Sequence, residues 1–272
     1  MPSSKSKSKT IVITGCSANG VGHHHVFATA RSVHKFPKDL SSLPNVTVLQ
    51  LDVMSAESVA DAVEAVKAHS ADSDDDDTAG AGLDVLVNNA GVGYTIPLLD
   101  AQIDKEKKVY ETNVWGALRT VQGFADLMIA RKGRVVNLIG VGAVVNTPWI
   151  AVTQLSESLR LELSPFNVSV ICVMLGTIAI SFHINEPQVV LPASSRYAAI
   201  KVTISRWASG EAGPKGGRPD DAARLIVQDV LGAGAGLVWK GPYGGAVRFV
   251  SRWCPGLPLM SLLESQGRDW MS

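Results

Sequence analysis

At 272 residues the chain is long enough for one large α/β domain with a buried core. Its 25 basic and 25 acidic residues cancel to a formal charge of zero, so no basic field recruits nucleic acid. No run of about eighteen uninterrupted apolar residues is present, which excludes a membrane-spanning helix, and the Ser/Lys-rich start Met1 to Lys9 lacks the apolar core of a secretory signal.

Thr10 to Thr14 is a short β-branched run ending at glycines, which predicts a buried parallel strand. His23-His24-His25 follows closely. Adjacent residues on a strand point to opposite faces, so no metal is expected there. Val26 to Ala30 predicts a second strand and Val46 to Val53 a third. Ser55 to Ala68 has helical periodicity, with Val59, Ala62, Val63 and Val66 on one face and Ser55 as N-cap. The acidic run Asp72 to Asp77 reads as a solvated loop. Leu83 to Val87 gives a fourth strand, Asp104 to Ala130 a long helical region, and Gly133 to Leu138 a fifth strand. Ser156 to Leu163 reads as helix and Val168 to Met174 as a sixth strand. Gly210 to Gly217 is punctuated as a loop by Gly213 and Pro214. Pro219 to Leu231 predicts a helix, because Pro219 suits its first turn and Asp220 and Asp221 suit its positive end. Leu237 to Lys240 is the seventh strand.

Strands alternating with helices imply βαβ units and a parallel sheet. The expected fold is a single α/β domain, a Rossmann-type doubly wound sheet over 10–245. Residues 1–9 are expected as a disordered tail and 246–272 as an apolar extension. Cys16, Cys172 and Cys254 lie far apart without metal-ligand spacing. They read as reduced thiols of a cytoplasmic protein. Val247 to Leu263 is apolar, with Arg248 and Arg252 interleaved. Packing against the domain or a partner subunit is favoured there over contact with a membrane surface.

The first strand runs into Thr14-Gly15-Cys16-Ser17-Ala18-Asn19-Gly20-Val21-Gly22. Glycines at this point let the backbone approach a pyrophosphate. Asp52-Val53 follows the third strand, Asn88-Asn89-Ala90-Gly91 the fourth, and Asn113-Val114-Trp115-Gly116 lies in the long helical region. In this order the four motifs resemble the short-chain dehydrogenase/reductase family, over roughly Thr10 to Phe182. The wording of ITGCS, HHVFATAR, SLPNVTVLQLDV, LDVLVNNAG, VNTPWI and LSESLRLEL is most similar to the fungal branch around 1-acyldihydroxyacetone-phosphate reductase, which also holds reductases of specialised metabolism.

The resemblance implies a role for each matched residue. Gly15, Ser17, Val21 and Gly22 would line the pyrophosphate. Asp52 and Val53 would hold the adenine, and Asn89, Ala90 and Gly91 would flank the nicotinamide. Ile178 would meet the nicotinamide amide through its backbone. Arg31, followed by Ser32, stands where an acidic residue would bind the ribose of NAD. A cation there favours NADP over NAD.

Two departures from the family stand out. Only about eight to eleven residues join the first two strands, too few for the usual loop–helix–loop. Most of a helix is therefore missing, along with its donors for the pyrophosphate. The second departure is the active site. In the family a Tyr transfers the proton, a Lys four residues on tunes it, a Ser orients the substrate and an Asn holds a water. Asn113 matches the Asn. The serine position reads Ile139-Gly140, and the text passes from Val152 to Thr153 with roughly eight residues absent, about two helical turns. The helix carrying the pair is thus expected to be truncated. Tyr197-Ala198-Ala199-Ile200-Lys201 has the right spacing in the wrong place, and is taken as a decoy pair.

Three readings stay open. One is an NADP-dependent oxidoreductase interconverting a ketone and a secondary alcohol on a lipid-like or specialised-metabolite substrate, with Ile178 to Leu191 as a lid and Tyr94 at the pocket. This chain would be impaired by its missing residues. Another is a non-catalytic scaffold, as a homo-oligomer or with other partners. The third is a mis-spliced form of an active reductase, because both gaps fall at single points in otherwise well-matched text.

Overall fold

The computed structural model describes residues 8–15, 24–72, 81–141, 147–179, 189–213 and 215–253. Seven strands form one parallel sheet: β1 (Thr10–Ile13), β2 (His25–Ala30), β3 (Val46–Gln50), β4 (Val85–Asn88), β5 (Arg134–Gly140), β6 (Ser169–Leu175) and β7 (Gly236–Lys240). Their order is β3-β2-β1-β4-β5-β6-β7. The order reverses between β1 and β4, which is where a doubly wound sheet opens a crevice at its carboxyl edge.

The helices are α1 (Lys38–Ser41), α2 (Ala56–Asp72), α3 (Ile103–Tyr110), α4 (Gly116–Arg131), α5 (Thr147–Leu163), α6 (Lys201–Ala208), α7 (Pro219–Leu231) and α8 (Gly244–Trp253). Side chains alternate across each strand, so the sheet feeds two cores. On one face Val12, Phe27, Leu86 and Val135 meet Val59, Val66, Phe124, Met128 and Leu159 of α2, α4 and α5. On the other, Ile11, Val26, Val85, Val136 and Ile171 meet Leu40 of α1 and Ile226 and Val230 of α7. Ser55 caps α2 as expected, its hydroxyl accepting from the Ser58 amide at 3.1 Å.

The first crossover is as short as its sequence requires. β1 and β2 pair directly, from Thr10 opposite His25 to Ile13 opposite Ala28, with only residues 14–24 between them. Ile11 and Ala28 are nevertheless fully buried, and Phe36, Ile226 and Leu231 pack against this part of the core. Lys9 also belongs to the folded body. Its amide donates to His24 Nδ1 at 3.1 Å and its ammonium to the Leu231 carbonyl at 2.8 Å. The body thus takes in the end of the segment expected as tail.

Three elements differ from expectation. β3 stops at Gln50 rather than Val53, because the Asp52 carboxylate accepts from the Met54 amide at 3.0 Å and turns the chain. The long helical region is broken: a π-turn, Glu111–Trp115, separates α3 from α4. α5 starts at Thr147, not at Ser156, and keeps 17 residues. The helix therefore begins nine residues earlier than its periodicity suggests. A parallel crossover needs a helix long enough to carry the chain back to the start of β6, about 25 Å for this length. Residues upstream supply it, with Pro148 accepted in the first turn.

Candidate functional site

The crevice opens where β1 and β4 end. Thr14 is buried, and its hydroxyl accepts from the Asn89 and Ala90 amides, both at 3.0 Å. The Asn89 carboxamide donates to the Thr14 carbonyl at 3.1 Å and to the Gly15 carbonyl at 2.8 Å. Gly15 takes a left-handed φ of 61°, and a Cβ there would lie 2.8 Å from the Ala90 Cα. Only glycine fits this contact between the two loops. Ser17, Val21 and Gly22, the remaining expected pyrophosphate residues, lie outside the described residues.

Arg31 follows the last residue of β2 and is exposed. It has no ion-pair partner among the described residues. Ser32 is half-buried and precedes a short 3-10 turn, Val33–Lys35. Beyond β3, Val53 is buried, and its carbonyl accepts from Arg119 at 2.6 Å. The same guanidinium pairs with Glu111 at 2.6 Å. Asp52 and Val53 are thus fixed at the crevice edge by their own turn and by α4.

Asn113 is buried in the π-turn. Its oxygen accepts from the Val92 amide and its nitrogen donates to the Val92 carbonyl, both at 2.9 Å. The carboxamide thereby ties the π-turn to the loop after β4. A Cβ on Gly91 would lie 3.5 Å from the Asn113 oxygen, an ordinary contact. Asn113, Asn89, Ala90, Gly91 and Gly15 are therefore brought together around one loop.

A buried polar chain lies behind this site, and the motifs gave no hint of its connectivity. Asn88 donates to Asn137 at 2.8 Å and accepts from the Thr120 hydroxyl at 2.6 Å. Asn137 donates to Ser156 at 2.8 Å, and Ser156 donates to the Val152 carbonyl at 2.6 Å. Satisfied buried groups of this kind fix how α4 and α5 sit on the sheet. The only available signal was the presence of three polar residues, Asn88, Asn137 and Ser156, in apolar surroundings.

The expected serine position is apolar in fact as in sequence. Ile139 is buried among Val114, Val152, Cys172 and Met174. A Cβ on Gly140 would lie 3.0 Å from the Trp149 ring, so an indole of α5 rests against the end of β5. The Cys172 thiol, buried on β6, is pushed up to about 11 by burial, which outweighs hydrogen bonds with Ser156 and Thr153.

The decoy pair sits elsewhere in the chain. Tyr197 precedes a 3-10 turn, and its amide donates to the Ser195 hydroxyl at 3.0 Å. That hydroxyl bonds the carboxylate of Asp100, so this segment is tied to the turn before α3. Lys201 is exposed at the start of α6. Among the described residues no hydrogen bond links Tyr197 or Lys201 to Asn113. The Tyr94 hydroxyl accepts from Gln102, and its ring lies 5.6 Å beneath the Lys105 ammonium. Ile178 bridges to Gly217, but both bonds come from its neighbours Thr177 and Ala179. Its own N–H and C=O stay outside that pair. Residues 180–188 of the expected lid are not among those described.

Comparison with known proteins agrees with this geometry. A family model for short chain dehydrogenases matches residues 9–188. A short-chain dehydrogenase of Penicillium crustosum is 34% identical over 280 aligned residues, covering 95% of this chain and 99% of the relative. That alignment is longer than the chain itself, so some positions of the relative have no counterpart here. The NADPH-dependent 1-acyldihydroxyacetone phosphate reductase of Schizosaccharomyces pombe is 31% identical over 186 residues, or 62% of this chain and 59% of that one. Among solved structures, a short-chain dehydrogenase from Streptomyces avermitilis superposes with a TM-score of 0.71 at 23% identity, covering 97% of both chains. A family match over most of the chain, full-length fungal relatives and this sheet order together make the protein a member of the short-chain dehydrogenase/reductase family.

Proposed function

We propose that this chain belongs to an NADP-dependent lineage interconverting ketones and secondary alcohols on lipid-like or specialised-metabolite substrates, and that it keeps nucleotide binding while proton transfer is crippled. One observation carries the reading: at the end of β5, where the substrate oxygen would need a hydroxyl and a phenol, the chain offers Ile139, Gly140 and the Trp149 indole.

The residues present suit a dinucleotide. Gly15 packs backbone to backbone against Ala90 at the switch point, and Asn89 holds that turn in place through the Gly15 carbonyl. The exposed Arg31 guanidinium suits a 2′-phosphate. Solved relatives, such as the dehydrogenase from Burkholderia cenocepacia, were crystallised with NADP. The nicotinamide supplies a hydride when bound. The Ile178 backbone and the Asn89–Gly91 loop would orient its ring. Among the described residues, Ile139, Gly140 and the Trp149 indole stand where a proton donor would be needed, and the loss of a general acid lowers turnover by about 10²- to 10⁴-fold.

The experiment is a thermal-shift titration with NADPH and NADH, followed by turnover on a panel of apolar ketones. NADPH at a hundredfold excess over Kd should stabilise by about 2.7 kcal/mol, and Arg31→Asp should reverse the preference between the two nucleotides. Absence of any shift at millimolar NADPH would remove the nucleotide-binding part. Turnover near the ordinary enzymatic value, about 10 s⁻¹, would remove the impairment. If such turnover survives Tyr197→Phe, the decoy is also excluded. Sequencing the transcript tests the splicing reading, since extra codons after Gly22 and Val152 would restore the family's pattern.

A further inference from the structure

The last described helix faces solvent with its largest side chains. Phe249 and Trp253 of α8 are 61% and 70% exposed. They are four residues apart, so they lie on one helix face. Arg248 and Arg252, also four apart, flank them, and all four line a single shallow hollow with Gly245. The opposite side is the inner one: Val247 and Val250 are half-buried and Gly244 is buried. Apolar side chains thus occupy both sides of the helix, although a helix end packed on one sheet edge needs only one.

The charge carried by this helix has one sign. No Asp or Glu occurs from Gly241 to Leu263, in a chain otherwise balanced between 25 acidic and 25 basic residues. Lys240 is neutralised by Asp229 at 2.9 Å. Arg248 and Arg252 have no acidic partner among the described residues. Past Trp253 the sequence reads Cys254-Pro255-Gly256-Leu257-Pro258-Leu259-Met260-Ser261-Leu262-Leu263, without a charge.

We infer that α8 is a peripheral docking element for an anionic lipid surface. Aromatic residues enter the boundary between headgroups and acyl chains, and flanking arginines pair with lipid phosphates. Charge complementarity decides the occupant. A second copy of this neutral chain would bring arginines against arginines across a two-fold contact of this face. An anionic bilayer satisfies both the cations and the aromatics. Ten residues span about 15 Å, so the helix lies along the surface. Among the described residues no helix is long and apolar enough to cross a membrane.

The position gives this contact a consequence. α8 begins at Gly244, just beyond β7, and the Lys240 carbonyl at that strand's end accepts from the Gly176 amide at 2.7 Å. Gly176 follows β6 at the same carboxyl edge as the crevice. Docking would therefore hold the carboxyl edge of the sheet near the bilayer, where an apolar substrate would be dissolved.

The test is co-sedimentation of the full chain with vesicles of phosphatidylcholine alone and of phosphatidylcholine with 30% phosphatidylserine (about that fraction raises the negative surface potential). Binding is expected to the anionic vesicles and to weaken with salt. Arg248→Gln with Arg252→Gln should lower the partition coefficient about thirtyfold at low salt, and Phe249→Ser with Trp253→Ser should abolish binding. All four residues are exposed, and an unchanged thermal melt confirms that the variants fold. Bromine-labelled acyl chains should quench a fluorescence component that Trp253→Phe removes. The inference is overturned by absence of binding, by equal binding to neutral vesicles, or by binding that ignores the arginine changes. It is also overturned by quenching that survives Trp253→Phe, or by concentration-dependent self-association that the serine variants abolish in place of lipid binding.

Discussion

Cys172 illustrates how one residue's surroundings set its chemistry. Its thiol is displaced upward to about 11 from an ordinary value of 9.0, chiefly by burial. An acid whose folded value is raised stabilises the fold below its unfolded value and loses that contribution as the pH climbs. Stability should therefore decline between about pH 9 and pH 11 more steeply than in Cys172→Ala. A thiol reagent offers a second check. In a Cys16→Ser, Cys254→Ser background, Cys172 should react at pH 8 only on unfolding. Rapid labelling of the native protein would contradict the burial. Asn113 makes the complementary point: its type and position were legible in the motif, but its two bonds to Val92 were not. A carboxamide can face several partners, and only the folded loop after β4 selects one.

Between elements, small residues set how α4 sits against α2 and the turn before it. A Cβ on Gly123 would meet Val59 Cγ1 at 2.5 Å, and one on Gly116 would meet Val53 Cγ2 at 2.7 Å. Helix propensity alone favours alanine over glycine by about 1 kcal/mol. Overpacking opposes it by about 1–3 kcal/mol, so Gly123→Ala should be destabilising in chemical denaturation. Val59→Ala removes the clashing methyls. The double variant should therefore lose less than the sum of the two single losses, whereas simple additivity would mean that the helices have room to separate. The strands were the most legible elements because each is a short β-branched run bounded by turn residues. α5 was the least legible. Thr147 to Leu155 reads as a defective family motif, and the need to span the sheet overrides that reading.

For the whole molecule, zero net charge matters more than any single pair. Equal numbers of acidic and basic residues leave little repulsion between copies near neutral pH. Light scattering should register the strongest self-attraction near pH 7 and weaker attraction at pH 8.5, where a net negative charge develops. Attraction that grows steadily with pH would contradict this. The prediction is separate from lipid docking, which depends on two local arginines in α8 and not on total charge.

By itself the sequence determined the parallel sheet, its strand count and the family, because alternating β-branched runs and glycine-bounded turns are local properties. It also showed that the segment between β5 and β6 holds neither a Tyr nor a Lys, and that Ile139 and Gly140 carry no hydroxyl. Only the tertiary structure decided what occupies that space. The Trp149 indole against Gly140, the Asn88–Asn137–Ser156 chain and the closure of the short β1–β2 crossover all join residues distant in the chain. Such contacts depend on packing volume and hydrogen-bond direction, which are properties of neighbours in space and leave no periodic trace along the chain.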